Sequence, residues 1–220
     1  MTRTGAVSDE LTAMLSSCTV CRLWAEQDEG PYHRDAQPPR RDVVEDRDGV
    51  ALQLGIRLAR DGDTPPRDAT VEIWQCDALG RYSGFPPPDS SVVVSAETAP
   101  RGEYLAHQTF LRGLQTTDAA GMVEFRTIYP GWYPGRTVHS HLMVRTDHAV
   151  LTSQLYFADD LSDQVLATSP YAERPGRDTT NGTDEIFPTG GDPAVLDISP
   201  TREGYRAAIC LVIQTNDAAL

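Results

Sequence analysis

The chain has 220 residues, 40% hydrophobic and 23% charged, with 17 Gly and 16 Pro, which suits one large domain or two small ones rich in turns. Its 32 acidic residues against 19 basic ones give a net charge of −13, which argues against nucleic-acid binding and against docking on anionic lipid. No run approaches the roughly 20 apolar residues that a membrane span needs.

The first residues, "MTRTGAVSDELTAMLSSC", carry Asp9 and Glu10 and no long apolar run. They make a poor secretory signal, so the expected location is cytoplasmic, or exported if a signal has been removed. A small helix fits residues 8–16. Cys18 and Cys21 form a C-x-x-C. With no second such pair and no βαβ pattern beside it, the motif reads as buried thiols, or as one structural disulfide in an oxidising compartment.

In "VALQLGIRL", Val50, Leu52, Leu54, Ile56 and Leu58 share one face, the period of a strand. "ATVEIWQCDA" predicts a central strand, with Val71 and Ile73 opposed to Trp74 and Cys76. "FPPPDSS" is a loop, because consecutive prolines cannot join a sheet ladder. "EYLAHQTFLRGLQT" and "MVEFRTIY" read as strands joined by "TDAAG", a hairpin-type connection. "TVHSHLMVRT", "TSQLYF" and "GYRAAICLVIQT" complete the set, and a second small helix fits 160–168. About eight short strands with Pro/Gly-rich joints predict an all-β sandwich of mostly antiparallel strands. Residues 169–200 form a connection too long to be neutral, so they are expected to cover a site or a partner.

The chemistry concentrates in "YPGWYPGRTVHSH". Residues two apart on a strand point the same way, so His139 and His141 project together. Two buried imidazoles without partners are costly, and a metal would use both nitrogens. Zinc wants three or four His, Cys or carboxylate ligands, and non-haem Fe(II) wants a carboxylate. No acidic residue accompanies this pair nearby; Asp147, beyond the strand, is the nearest downstream. Tyrosine does: Tyr133 in the turn before the strand, and Tyr82 after a strand end and a Gly turn in "VEIWQCDALGRYSGF". Phenolate oxygen is a hard donor suited to Fe(III), because a bound trivalent cation lowers the phenol pKa. Trp74 is expected in the core, Trp132 and Tyr129 are expected to pack with pocket walls as the alternative, and His33, His107 and His148 are expected to be surface or structural.

Those two segments resemble the intradiol ring-cleavage dioxygenases, the family of catechol 1,2- and protocatechuate 3,4-dioxygenases. "DEGPYHRD", "TSQLYF", "PYAERPGRDTTNGTDEIF" and "GYRAAICLVI" extend the likeness from about residue 21 to 214. The resemblance implies an N-terminal extension over 1–20 and a catalytic β-sandwich over 21–216. It implies one Fe(III) per chain held by Tyr82 and His139 as equatorial ligands and Tyr133 and His141 as axial ones. Arg136 and Gln154 take the places of the family's arginine and glutamine beside the substrate, and Tyr32 would line the pocket. The implied reaction splits a catechol-type ring between its two hydroxyl-bearing carbons with O2, giving a cis,cis-muconate-type diacid, with Tyr133 taking up a proton. The implied partner is a small aromatic diol, with no nucleic acid and no membrane, and a sheet edge could pair into a homodimer.

The sequence also departs from the family. Ser140 stands between the histidines where relatives often carry an apolar residue, and "LWAEQDEGPYHRD" differs from the commoner opening segment. The N-terminus is shorter than the helical linker of catechol 1,2-dioxygenases, so the likeness is to short single-domain members, in which the counterparts of Cys21 and Cys76 can pair. Two other functions stay open: a β-sandwich binding protein without catalysis, and a zinc metallohydrolase using the H-x-H pair.

Overall fold

The computed structural model describes residues 6–17, 22–23, 25–60, 64–66, 68–86, 107–147 and 149–213. Cys18, Cys21 and His148 lie outside them. Two sheets face each other. The first contains β1 (Arg22–Leu23), β2 (Ala51–Ala59), β5 (Met122–Ile128), β8 (Asp197–Pro200) and β9 (Gly204–Val212), in the order β1-β9-β2-β5 with β8 also on β9. The second contains β3 (Thr70–Trp74), β4 (Arg112–Thr116), β6 (His139–Arg145) and β7 (Val150–Tyr156), in the order β4-β3-β6-β7. Pairing is antiparallel except that β9 runs parallel to both β1 and β2. The expected all-β sandwich is the fold.

The alternation of apolar residues builds the space between the sheets. Leu52, Leu54, Ile56 and Leu58 of β2, Ile209 and Leu211 of β9, and Val123 and Phe125 of β5 meet Val71, Ile73, Leu142, Val144 and Leu155 from the other sheet. Each such side chain is at most 3% exposed, and its burial contributes about 1.5–3 kcal/mol. The outer faces are covered differently. On the first sheet, α1 (Asp9–Ser16) lays Leu11 and Leu15 against Met122 and Ala208. On the second, loops do the covering, and there the functional candidates collect.

Three sequence expectations need correction. β4 and β5 are not a hairpin: β4 pairs with β3 and β5 with β2, so 117–121 crosses from one sheet to the other. The turn itself forms, with Asp118 Oδ1 accepting from Ala120 N and Met122 N, but turn chemistry does not dictate which sheet the next strand joins. Of the strand expected over 103–116, residues 103–106 lie outside the described residues; within 107–116 it starts at Arg112, because Leu111 has φ 56 and its N–H donates to Val43 O. Within the stretch expected to be loop-rich, β8 pairs with β9 through backbone groups. The two small helices are present, the second as α2 (Asp159–Leu166).

Candidate metal centre

β6 is the base of the site. Its residues 139, 141 and 143 face outward and 140, 142 and 144 inward, and residues 139–144 are all buried. His139 is 2% exposed and His141 0%, and their ring centres lie 4.7 Å apart. Cross-strand register sets a row across the whole sheet: Arg112 on β4 opposes Trp74 on β3, Trp74 opposes His141, and His141 opposes Gln154 on β7. Trp74, expected in the core, is buried but lies on this outer face. It stacks on His141 with centroids 4.9 Å apart and planes 2° apart.

Two turns bring the tyrosines to the histidines. Past β3 the chain enters a turn capped by Asp77, whose Oδ1 accepts from Leu79 N and Arg81 N at 2.9 Å each. Gly80 closes it with φ +78, and a Cβ there would sit 2.3 Å from the Trp132 carbonyl oxygen, so only glycine fits. Tyr82 emerges from this turn, 1% exposed. Tyr133 comes from the segment before β6, where Arg136 N donates to Tyr133 O and folds the chain back.

The four side chains converge. Tyr133 Oη lies 3.1 Å from His139 Nε2, and the two histidine Nε2 atoms lie 3.1 Å apart. The rings of Tyr82 and Tyr133 meet edge to face, with centroids 5.7 Å apart. Tyr32 stacks on Tyr82 at 4.3 Å and meets Tyr133 and Phe85 edge to face. Gly30, in the segment carrying Tyr32, closes over His141, where a Cβ would meet Cε1 at 3.1 Å.

Proton placement tests whether a metal fits. His139 Nδ1 lies 2.7 Å from Thr137 O. A carbonyl only accepts, so Nδ1 carries the proton and Nε2 turns its lone pair inward. Tyr133 Oη–H donates to that lone pair. His141 Nδ1 is buried without a partner, as is Tyr82 Oη. If His141 is protonated at Nδ1, a donor is orphaned and two lone pairs oppose each other at 3.1 Å. If it is protonated at Nε2, two donors compete for one lone pair. Each orphaned buried group costs about 1–3 kcal/mol, and a cation between the nitrogens and phenols removes the conflict. Two donors each about 2.1 Å from one ion and at right angles are about 3 Å apart, as the nitrogens are here. The residues therefore fit a metal.

Electrostatics favour a highly charged one. Burial pushes His139 down to about 3, helped by Arg136, and burial, then His139, pushes His141 down as well, so both imidazoles are neutral. Burial raises Tyr133, and burial followed by Tyr133 raises Tyr82. Tyr32 is pushed up to about 12, by burial and then Cys76. A cation that displaced the protons of both phenols would have to be a strong Lewis acid. Among the described residues no group of three or more His, Cys, Asp or Glu side chains could hold a metal, so carboxylates and thiols do not complete the set.

Arg136 and Gln154 sit beside the cluster, joined by Arg136 Nη2 donating to Gln154 Oε1. Tyr156 Oη donates to the same oxygen at 3.1 Å, and Gln154 Nε2 donates to Asp28 O at 3.0 Å. Sequence reasoning missed Asp184, which orients Arg136. Its Oδ2 accepts from Arg136 Nε at 2.9 Å and Thr137 N at 2.8 Å, and its Oδ1 from Ile186 N and Phe187 N. Burial pushes this carboxyl up, but Arg136 and the Thr137 amide bring it below its ordinary value. It lies in the long 169–200 connection, whose length was the only signal. Arg112 was missed too: it is 1% exposed and brought down to about 9 by burial and then Arg34.

Other candidates fall outside the cluster. Tyr129 and Trp132 are packing residues, bonded to Ser162 Oγ and Arg174 O. His33 has a supporting place, bridging Glu29 and Glu72 and lying against Trp74. Cys76 is a free thiol whose Sγ donates to Gly131 O at 3.4 Å; Cys21, its expected partner, lies outside the described residues.

The β-sandwich, with two tyrosines and an H-x-H pair gathered on its outer face, sets the chain beside known dioxygenases. A family model described as Dioxygenase matches residues 27–176. An intradiol ring-cleavage dioxygenase from Tetranychus urticae is 32% identical with a TM-score of 0.78, the match covering 89% of this chain and 96% of that one. The dioxygenase domain of a dioxygenase–carbohydrate-binding protein fusion from Streptomyces sp. SirexAA-E is 26% identical with a TM-score of 0.63, over 86% and 97%. The protocatechuate 3,4-dioxygenase beta chain of Burkholderia cepacia is 28% identical over 167 residues, and the chain spans 64% of that relative's length. The chain belongs to the intradiol ring-cleavage dioxygenase family.

Proposed function

We propose that Tyr82, Tyr133, His139 and His141 hold one ferric ion, and that the protein uses O2 to cleave a catechol-type ring between its hydroxyl-bearing carbons, giving a cis,cis-muconate-type diacid. The observation that carries this reading is the buried meeting of Tyr133 Oη and both histidine Nε2 atoms at 3.1 Å, beside an unpartnered Tyr82 hydroxyl. When bound, ferric iron would supply the Lewis acidity that activates a catechol-type ring towards O2.

The chain's own residues do the rest. Held as a phenolate by a bound cation, Tyr133 Oη would accept a proton from a substrate hydroxyl; Tyr133 is the most exposed of the four residues, at 8%. Arg136, fixed by Asp184, places a positive charge where the ring oxygens gain negative charge, and Gln154 holds the guanidinium on that side. Tyr32 and Phe85 offer aromatic faces and edges to a flat ring. Burial keeps water from the reacting atoms.

The test is spectroscopic and chemical. Protein loaded with ferric iron should be wine-red from phenolate-to-iron charge transfer, and a panel of catechols should consume equimolar O2 and yield ring-opened diacids by mass. Tyr133→Phe should lose part of the visible absorption and slow turnover sharply. A colourless zinc protein without O2 uptake would favour a hydrolase, and a protein that takes up no metal would favour a binding sandwich.

A further inference from the structure

We propose that Arg112 is a positioning residue for Tyr82: it clamps the turn that delivers the phenol and keeps a positive charge behind the ring. This rests on Tyr82 being a ligand.

Arg112 is an unusual residue to find where it is. It sits on β4, on the outer face of the second sheet, in the row that continues through Trp74 to His141. Charged side chains are almost never fully buried unless paired, and moving a cation out of water costs several kcal/mol. Yet Arg112 is 1% exposed and has no carboxylate partner among the described residues. Its Nε donates to Ser83 Oγ at 2.7 Å and its Nη2 to Ser83 O at 2.9 Å. Ser83 Oγ in turn donates to Phe110 O at 2.8 Å. Nη1 is buried with no hydrogen-bond partner among the described residues. The guanidinium carbon lies 6.0 Å from the centre of the Tyr82 ring and 5.6 Å from that of Phe85.

Each contact acts on Tyr82. Two parallel donations to the residue that follows it fix where the turn leaves the sheet, and so where the phenol lies. The clamp is referenced to the histidines: Arg112 and His141 both flank Trp74 in register, so one sheet row sets the distance between a loop ligand and a strand ligand. A simple structural arginine would pair with an acid. Here the nearby group that becomes negative is the phenol oxygen itself once it binds metal, and the buried charge complements it.

The experiment uses the full-length protein with ferric iron. Arg112→Met removes clamp and charge, Arg112→Lys keeps the charge without the paired donation, and Ser83→Ala removes one acceptor and leaves the charge. Readouts are iron affinity by competition with a chelator, the position of the charge-transfer band, and kcat and KM for catechol. A supporting partner of a metal ligand is worth about 10- to 100-fold in affinity or activity, so Arg112→Met should weaken iron binding by at least about tenfold. It should also shift the band and lower kcat more than it raises KM. Arg112→Lys and Ser83→Ala should fall between it and the parent, and they decide the matter if Arg112→Met does not fold. Folded variants with parental iron affinity and an unshifted band would overturn the role of Arg112 alone. A parent protein that binds iron with no visible band, or binds none, would overturn the Tyr82 ligation and this inference together.

Discussion

The two faces of β6 are equally buried and chemically opposite. Inward, Leu142 and Val144, each 0% exposed, meet the side chains of the other sheet. Outward, His139 and His141 are just as inaccessible, but they meet phenols, backbone carbonyls and a glycine at the closing loops. The inward face gains stability from every apolar atom it removes from water. The outward face gives stability up, since it buries neutral imidazoles and, among the described residues, a phenol without a hydrogen-bond partner and a cation without an acid. Low exposure therefore does not identify a core; what a side chain finds once buried does. The outer face holds because its supports come from several directions: Thr137 fixes His139, Trp74 stacks on His141, Asp184 holds Arg136, and Arg112 holds the turn after Tyr82.

Neighbouring substitutions on β6 should separate the two faces. His141→Gln keeps much of the volume but removes the donor atom. We expect loss of the visible absorption and a fall in kcat/KM of more than about a hundredfold, beyond what loss of a supporting partner costs. Leu142→Ala, one residue away, should cost about 2–5 kcal/mol by leaving a cavity, while the protein that remains folded keeps its iron and its turnover. Urea unfolding measures one effect, and iron content with O2 uptake the other. If Leu142→Ala abolished iron binding in folded protein at low temperature, the faces would not be independent and the comparison would fail.

A pH series on metal-free protein sharpens the contrast. His139 titrates near about 3 when folded against about 6.5 when unfolded. Between those values the unfolded chain binds a proton that the folded one refuses, so the histidines' contribution is intact above about 6.5 and is lost as pH falls towards about 3. His141, shifted the same way, adds to the slope. His139→Gln should flatten the dependence of unfolding free energy on pH over that window, whereas Leu142→Ala should lower the curve without changing its shape. Parallel curves for the parent and His139→Gln would mean that the imidazole is not held neutral.

The same contrast explains what the sequence made legible. Inward faces declare themselves, because Leu52, Leu54, Ile56 and Leu58 alternate whatever partner they find. The proposed ligand quartet was readable because His139 and His141 share a face by strand geometry, and because Tyr82 and Tyr133 stand in segments resembling a known family. Pairing partners were not readable: 117–121 makes the same Asp- and Gly-stabilised turn whether the chain returns to its own sheet or crosses to the other. β8 was hidden because Asp197–Pro200 is held by backbone pairing, with little of its side-chain surface buried. Arg112 and Asp184 were hidden for a deeper reason. A charged residue in sequence reads as surface, and only the packing of distant segments turns these two into buried supports. Sequence marks groups that do chemistry by their type, and marks poorly the groups that hold them.

Ser140 gives the smallest and most discriminating expectation, because it lies on β6 between two proposed ligands and yet faces the other way. It is 1% exposed, opposes Leu155 of β7, and its Oγ has no hydrogen-bond partner. A hydroxyl buried without a partner costs about 1–3 kcal/mol, and Ser140→Ala removes it at the expense of one small atom's packing. The expected result is a gain of about 1 kcal/mol in unfolding free energy, with the charge-transfer band, iron affinity and kcat/KM unchanged. Its position in the chain, flanked on both sides by proposed ligands, predicts the reverse if proximity in sequence is what matters. A variant that unfolds earlier or changes colour would show that the inward face of β6 reaches the metal centre through the strand backbone. A slightly stabler variant of the same colour would show that a single strand can carry both chemistries, with the pleat alone keeping them apart.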